Sequence, residues 1–421
     1  ILLDRKSHQK NSIQYFSNYD LKRFKELERK KTQLNKLNSE NLELVDTEIN
    51  SLFRKYSDSV DLKLFTKNYI EFYYGDSIVY IFSDIENQKV FKELGTTKDF
   101  KDQLKNFKDY INNKSSENSI LNTLYTFLLP KEIKIINKIS ILPDGPICFI
   151  PFEILKNPKG EFLIQNSIIN YKFSHHNIIR QQQNRIDNIF ILAPEYSKPS
   201  IEIASLTRNG FNKLEFNKNE IDDISQSLGL NDCKFYNLTK SEIIDKIYSS
   251  SIFHFAGHAT VEDNQALLAI NDSNTLTSNE ISQLTLDLDL AVLSACETGL
   301  GSWTKGEGVQ SMGRAFHEAG VRSSIFSLWS VNDQSSSMIM KSLYNNLKIG
   351  CSKDDALRKS KLQYLENAMG LDRHPFFWSG FITYGDTSSL RFADNNNYLL
   401  IIIISTFVLL ILFVTIKKRS I

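Results

Sequence analysis

The chain has few cysteines, and they show no pairing pattern. Its 421 residues include only Cys148, Cys233, Cys296 and Cys351. None belongs to a Cys-x-x-Cys pair and no histidines cluster beside them at metal-ligand spacing, which argues against a structural zinc site. Four cysteines are also too few for a disulfide scaffold at this length. We interpret Cys148, Cys233 and Cys351 as small apolar residues, although pairing of Cys148 with Cys233 in an oxidising compartment stays open.

The chain also lacks an excess of either charge. Fifty basic residues face forty-nine acidic ones, for a net charge of +1, which gives no electrostatic case for nucleic acid as a partner. No Gly-x-Gly-x-x-Gly or phosphate loop follows a strand-like run, so a nucleotide enzyme is a distant alternative. No calcium-loop pattern is present either. We therefore predict no metal or organic cofactor.

Two apolar, strand-like runs each end at a reactive side chain. Ala291–Ala295 leads into Cys296, and Ser251–Gly257 leads into His258. Ligands gather outside the carboxyl ends of parallel strands, so adjacent strands would bring these two side chains together at one edge. A cysteine attacks a carbonyl as thiolate, and a histidine within hydrogen-bond reach can take its proton. By spacing alone the pair indicates a cysteine hydrolase, but such spacing also arises by chance.

Alternating strand and helix patterns extend on both sides of this pair. Residues 186–387 predict a parallel, right-handed sheet, with one helix running from Gly306 to Gly320. Tyr69–Phe82 predicts a hairpin around a Gly-Asp turn. Lys138–Leu142 predicts a buried strand, followed by a Pro-Asp-Gly turn and a second extended run, Ile147–Glu153.

The two ends of the chain differ from its middle. Residues 1–60 are charged and helix-prone, and they predict either a solvated spacer or the end of a helical-repeat array. The chain begins with Ile1, so we expect a fragment or a processed form. After a linker at 388–397, residues 398–416 carry no charge. Roughly 19 helical residues span about 28 Å, close to the hydrocarbon thickness of a bilayer.

The basic tail, residues 417–421, follows this apolar run directly. By the positive-inside tendency it favours the cytoplasm, which would place the bulk of the protein outside the inner membrane. A tail-anchored protein can instead keep a large amino-terminal domain in the cytosol, so the orientation stays open.

From residue 62 to 386 the chain resembles a CHAT domain, a caspase-like module related to separases and often found after tetratricopeptide repeats. Seven stretches carry the resemblance in the expected order: Leu142–Glu153, Phe253–Ala259, Val292–Gly301, Gly306–Val309, Ala315–Gly320, Ser327–Asp333 and His374–Phe381. The resemblance implies an α/β caspase-like sandwich. Its degenerate first half would occupy 61–185, and its catalytic half 186–387.

Site residues carry over from this resemblance one by one. The general base falls on His258 and the nucleophile on Cys296, with the backbone N–H groups of Ala259 and Cys296 as oxyanion donors. The family most often has glycine after the histidine, and the methyl group of Ala259 narrows the site. Asp333 is the candidate floor of a pocket for a basic residue before the cut, unless it only caps a helix starting near Ser335. Glu307 is a candidate substrate-binding carboxylate.

Two further residues near the pair are assigned lesser roles. Glu297 either contacts substrate or holds its loop. His254 shares a strand face with His258, and we interpret it as structural or supportive.

The function expected from these observations is a membrane-anchored caspase-like cysteine endopeptidase. Its partners would be a protein substrate, the lipid bilayer through 398–416 and an amino-terminal repeat-domain sensor, without nucleic acid. The alternative is a catalytically silent scaffold or interaction module with the same fold.

Overall fold

The computed structural model describes residues 67–174, 186, 188–196, 214, 216–230, 232–262, 265–295, 303–304, 308–309 and 311–392, together with the single positions 27, 45 and 48. The predicted membrane span at 398–416, the tail at 417–421 and nearly all of the 1–60 helical segment lie outside these residues. Within the described part, no helix is both long and apolar enough to cross a membrane.

The described strands are β1 Tyr69–Tyr74, β2 Ile78–Ile85, β3 Gln88–Thr96, β4 Lys138–Leu142, β5 Ile168–Tyr171, β6 Ile189–Leu192, β7 Lys234–Phe235, β8 Ile252–Gly257, β9 Ala259–Glu262, β10 Gln265–Ala269, β11 Thr275–Thr277, β12 Leu290–Ala295, β13 Trp303–Thr304, β14 Gly308–Val309, β15 Ser323–Ser327 and β16 Phe381–Gly385. The described helices are α1 Thr97–Asn113, α2 Ser119–Leu128, α3 Leu163–Asn166, α4 Asn217–Leu228, α5 Lys240–Tyr248, α6 Ser278–Ser282, α7 Met312–Glu318, α8 Asp333–Lys348, α9 Lys353–Asn367 and α10 Pro375–Trp378.

One large mixed sheet organises the molecule. Its strand order is β3-β2-β1-β4-β5-β16-β15-β12-β8-β6-β7. A small three-stranded sheet, β11-β10-β9, lies in the chain between β8 and β12, and β13 pairs with β14. The two halves of the chain therefore share one sheet, in which β16 from the end of the chain pairs with β5 from the first half.

The prediction of a parallel sheet is right for the second half and wrong for its last strand. Strands β15, β12, β8, β6 and β7 run parallel to one another. Strand β16 is antiparallel to β15, with Ser327 opposite Phe381, and it is parallel to β5. Strands β4 and β5 thus run opposite to β8 and β12. The carboxyl ends of strands β4 and β5 therefore lie at the opposite edge of the sheet from the carboxyl ends of β8 and β12.

Helices cover both faces of the second half. On β8, the ring of Phe253 packs 5.8 Å from that of Phe316 in α7, whereas the neighbouring His254 bonds to Glu220 in α4. Successive strand residues point to opposite faces, so α7 and α4 lie on opposite sides of the sheet. All four residues of β6 are buried, as expected for a strand covered on both faces.

Three local predictions change in the first half and at α7. The predicted hairpin forms between β1 and β2, but β3 adds a third antiparallel strand. The run after the Pro-Asp-Gly turn is not extended, because it forms short 3₁₀ helices at Gly145–Phe149 and Phe152–Ile154. Helix α7 begins at Met312 rather than Gly306, since 308–309 pairs as a strand with 303–304.

The first 3₁₀ turn is fastened to β1. The backbone N–H of Tyr74 donates to Asp144 Oδ2 over 2.9 Å. Gly145 has a φ of +59°, and a Cβ at that position would lie 2.9 Å from Tyr74 Cβ. The left-handed backbone and the close approach of Tyr74 both favour glycine, and together they explain why the chain turns here instead of extending.

Buried polar groups join α9 to the first half. Lys361 Nζ donates to Glu153 Oε1 over 3.3 Å, and both side chains are buried. The Tyr171 hydroxyl donates to Glu153 Oε2 over 2.6 Å and accepts from the Phe152 N–H over 2.7 Å. Because each buried polar group finds a partner, this cluster holds the two halves together without an unpaired charge.

Candidate active site

Strands β8 and β12 are adjacent and parallel, as the sequence predicts. Their register pairs Leu290 with Ile252 and continues to Ala295 with Gly257. His258 comes directly after Gly257, and position 296 comes directly after Ala295. Neighbouring strands lie about 4.8 Å apart, so Gly257 and Ala295, the last residues of the two strands, lie side by side at one edge of the sheet.

His258 forms the junction between the large sheet and the small one. Its carbonyl oxygen accepts from the Ala269 N–H over 2.9 Å, and its own N–H donates to the Tyr196 hydroxyl over 3.0 Å. The His258 and Tyr196 rings pack with centroids 4.8 Å apart. The side chain is half-buried, which lets it meet both solvent and a ligand. This environment suits a general base.

The sequence analysis did not identify Tyr196, which lies just beyond the short apolar strand β6. The only signal was that Tyr196 follows β6, whose carboxyl end lies at the same edge as that of β8. Its hydroxyl also donates to the Ala269 carbonyl over 2.8 Å. Tyr196 thereby links three segments at the candidate site.

Ala259 is the first residue of β9, the edge strand of the small sheet. The His258 carbonyl bonds to Ala269 of β10, and Ala259 lies opposite Leu268. Hydrogen bonding alternates along an antiparallel strand, so the Ala259 N–H points away from β10. That direction is compatible with the predicted oxyanion role.

Cys296, Glu297 and Glu307 lie outside the described residues, so their predicted roles stay predictions. The described chain next to Cys296 is well fastened. The Ser327 hydroxyl, from the end of β15, donates to the Ala295 carbonyl. Ser327 is fully buried, and it therefore holds the last residue of β12 against the neighbouring strand.

Asp333 is the first residue of α8, and it does not cap that helix. The cap is Asn332, whose side chain accepts from the Ser335 N–H over 3.0 Å. Asp333 Oδ2 instead accepts from the Phe216 N–H over 2.9 Å, just before α4. The carboxylate thus fastens the segment that leads into α4, and its role beneath a specificity pocket stays a prediction.

His254 lies on β8 in an entirely different setting from that of His258. It is 0% exposed, and its Nε2 lies 2.9 Å from Glu220 Oε1. A carboxylate only accepts, so Nε2 donates to it, and Nδ1 lies within hydrogen-bond distance, 3.2 Å, of the Tyr344 hydroxyl. All three side chains are buried and bonded, which agrees with a structural role for His254.

Cys148 and Cys233 do not resemble nucleophiles, because their thiols are poorly ionised. Burial, together with the nearby Asp144 carboxylate, raises the pKa of Cys148 to about 12. Burial also raises the pKa of Cys233. Cys351 is half-buried, and Lys359 Nζ lies 3.2 Å from its sulfur. Cys148 and Cys233 are both free thiols in the structure.

Two of the motif stretches near the site, Ser327–Asp333 and His374–Phe381, make packing and hydrogen-bonding contacts. The Trp329 indole donates to the Phe376 carbonyl over 3.0 Å, and a Cβ at Gly380 would lie 3.2 Å from Trp329 Nε1. His374 Nδ1 accepts from the Phe376 N–H over 3.1 Å, so His374 caps α10. In the described part of the chain, no group of three or more His, Cys, Asp or Glu side chains could hold a metal ion.

The fold is a mixed α/β fold of the caspase-like kind, with one large sheet. The separase in the separase–securin complex of Saccharomyces cerevisiae matches 82% of this chain with a TM-score of 0.50 and 11% identity, and 31% of the separase chain is covered. The Arg-specific cysteine proteinase gingipain R (RgpB) of Porphyromonas gingivalis matches 67% of this chain and 70% of its own, with a TM-score of 0.42 and 14% identity.

The Drosophila initiator caspase Dronc matches 50% of this chain and 85% of its own, with a TM-score of 0.29 and 7% identity. No curated protein matches the sequence. The chain belongs to the CHAT domain family, whose model matches residues 118–386.

Proposed function

We propose that the chain is a cysteine endopeptidase that cuts a protein partner, with His258 as general base and Cys296 as nucleophile. The observation that carries this proposal is the parallel register of β8 and β12, which ends at Gly257 and Ala295. Two chains that leave adjacent strands at matched positions start about one strand spacing apart. That separation suits a hydrogen bond between an imidazole and a thiol.

The chemistry follows the ordinary course of acyl transfer. His258 takes the Cys296 proton, and the thiolate attacks the scissile carbonyl carbon. The N–H groups of Ala259 and Cys296 bind the resulting oxyanion. The imidazolium then gives its proton to the leaving amine as the carbon–nitrogen bond breaks. Water, deprotonated by His258, releases the acyl group and restores the thiol.

Asp333 is our candidate for recognition of Arg or Lys before the cut. Its carboxylate lies in the first turn of α8, shortly after β15 ends beside β12. One of its oxygens accepts from Phe216, so the carboxylate is held in place and oriented. A fixed carboxylate pairs well with a guanidinium group.

A peptide library assayed with the full chain tests the proposal. Cys296→Ala and His258→Ala should each lower kcat/KM by about 10³-fold, because each removes a group needed in the transition state. Cys351→Ala, which removes a half-buried thiol, should leave kcat/KM unchanged. The wild type should favour Arg or Lys before the cut, and Asp333→Asn should reduce that preference.

Several results would count against the assignment. Full turnover by Cys296→Ala would exclude it as the nucleophile. A complete lack of cleavage by the wild type, with equal phenotypes of wild type and Cys296→Ala in cells, would favour the scaffold alternative. Equal cleavage after basic and apolar residues would remove the pocket role of Asp333.

We also propose that residues 398–416 anchor this peptidase in a membrane and that residues 1–60 connect it to an amino-terminal sensor. The uncharged 398–416 run and the basic tail support the anchor. Helical Leu27 and Val45 are buried, which supports a packed segment at the amino-terminal side. The full chain should stay in the membrane pellet after alkaline carbonate extraction, and a chain lacking 398–416 should not. Release of the full chain would contradict the anchor.

A further inference from the structure

The Tyr196 side chain holds the main chain of His258 in place. The side chain is 7% exposed and comes from the segment after β6. Its hydroxyl accepts from the His258 N–H over 3.0 Å and donates to the Ala269 carbonyl over 2.8 Å. Both hydrogen-bonding capacities of the hydroxyl are directed at the junction between the large sheet and the small one.

The pairing of β8 with β12 stops just before this junction, so the His258 backbone there needs a hydrogen-bond partner outside the large sheet. Pairing of β8 with β12 ends at Gly257, so the His258 N–H lies beyond the last paired position. On the other side, the His258 carbonyl already accepts from the Ala269 N–H over 2.9 Å. With Tyr196 bonded to both His258 and Ala269, the backbone of the candidate base is fixed at its N–H and at its carbonyl.

Gly257 is required for this approach. A Cβ at position 257 would lie 2.7 Å from the Tyr196 hydroxyl oxygen and 2.7 Å from Phe255 Cζ. Distances under 3.0 Å are essentially never seen for a Cβ atom. The absence of a side chain before His258 is therefore what admits the tyrosine hydroxyl.

We propose that Tyr196 is the positioning residue for His258. The inference rests on the proposed function, since it concerns the same general base. The hydroxyl fixes the histidine backbone, and the tyrosine ring, 4.8 Å from the imidazole, limits the directions in which that imidazole turns. A base must lie within a few tenths of an ångström of its productive position, so a small displacement lowers the rate without weakening substrate binding.

Tyr196→Phe tests the hydroxyl, and Tyr171→Phe is its matched control. The Tyr171 hydroxyl makes the same kind of link in the first half, accepting from the Phe152 N–H over 2.7 Å and donating to Glu153 over 2.6 Å. Tyr196→Phe should lower kcat about 10-fold with KM within twofold of wild type. Tyr171→Phe should leave both constants unchanged at a temperature where all the variants are folded.

Gly257→Ala provides a second, independent variant. Its methyl group would displace the Tyr196 hydroxyl while leaving the tyrosine in the sequence, and it should lower kcat at least as much as Tyr196→Phe. Equal kcat values for wild type, Tyr196→Phe and Gly257→Ala would overturn the positioning role.

The rate of Cys296 alkylation by iodoacetamide against pH gives a readout that needs no peptide cleavage. The wild type should alkylate at pH 6 faster than His258→Ala, because the imidazole stabilises the thiolate. Tyr196→Phe should fall between them, and Tyr171→Phe should match the wild type. Identical profiles for wild type and His258→Ala would overturn the proposed function itself. A difference between those two, with Tyr196→Phe equal to wild type, would overturn only the inference about Tyr196.

Discussion

His254 lies within β8, and His258 follows the last residue of that strand. His254 is 0% exposed, and both of its ring nitrogens are committed to Glu220 and Tyr344. His258 is half-buried, and the contacts described above hold its backbone and pack its ring against Tyr196. Two hydrogen bonds hold the ring of His254, and two others hold the main chain of His258 at its N–H and at its carbonyl.

The difference shows what separates a structural histidine from a candidate base. A proton-transferring imidazole has to exchange protons with a substrate, which a fully buried ring bonded at both nitrogens cannot do. A main chain fixed at both N–H and carbonyl leaves the placement of the ring to its side-chain torsions and its neighbours. Position along the strand, rather than residue type, therefore decides the role.

The largest effect that this comparison predicts comes from removing the His254 ring. His254→Leu leaves the Glu220 carboxylate, 2% exposed, without its donor, and we expect a loss of about 3 kcal/mol in the free energy of unfolding. Per folded molecule, kcat should stay close to wild type. Denaturant unfolding and active-site titration together measure both quantities.

Two further variants serve as controls for His254→Leu. Tyr344→Phe removes only the hydroxyl on Nδ1, and should cost about 1 kcal/mol. Adding Glu220→Met to His254→Leu removes the unpaired charge, so the double variant should lose less than the sum of the two single losses. If His254→Leu kept full stability but lost turnover, the roles assigned to the two histidines would have to be exchanged.

The sequence predicts the part of the site that depends on strand pattern. Strands covered on both faces read as unbroken apolar runs, so Ile252–Gly257 and Leu290–Ala295 were recognisable, and their adjacency follows from the α/β alternation between them. The direction of β16 was not predictable in that way, because the apolar run Phe381–Tyr384 has the same pattern in either direction. Its direction depends on long-range pairing, because β16 is antiparallel to β15 and also pairs at Tyr384 with β5 from the other half of the chain.

Contacts between distant polar side chains were also beyond prediction from the sequence. Tyr196 lies in a stretch without helical or strand periodicity, and its hydroxyl meets residues 258 and 269, far along the chain. Glu220 lies on an amphipathic helix at a position that an apolar pattern would assign to solvent, yet it is buried against His254. In both cases the partner is chosen by three-dimensional packing rather than by local spacing.

The acid side of a pH profile sharpens the comparison, because activity falls there for two separable reasons. Protonation of His258 would remove the base, and loss of the fold would remove the site. Asp386, which follows β16, reports on the second reason, the loss of the fold. Burial alone would raise its pKa, but the Lys353 ammonium at 2.9 Å and two hydrogen bonds from Ser388 outweigh burial and lower the pKa to about 2.

A carboxyl group whose pKa is lower in the folded state stabilises the fold above its unfolded pKa, and this contribution is lost as pH falls through the folded value. The Asp386 contribution should therefore be complete above pH about 4 and should disappear between pH about 4 and 2. Because the Asp386 side chain is 34% exposed, we expect about 1 kcal/mol rather than the full value of the shift.

Urea unfolding at pH 7 and pH 3 should show a smaller difference in the free energy of unfolding for Asp386→Asn than for wild type. The acid loss of kcat/KM, which we assign to protonation of the base, should be the same in both proteins. If the acid loss of kcat/KM moved to a different pH in Asp386→Asn, unfolding rather than protonation of the His258 imidazole would limit activity at acid pH.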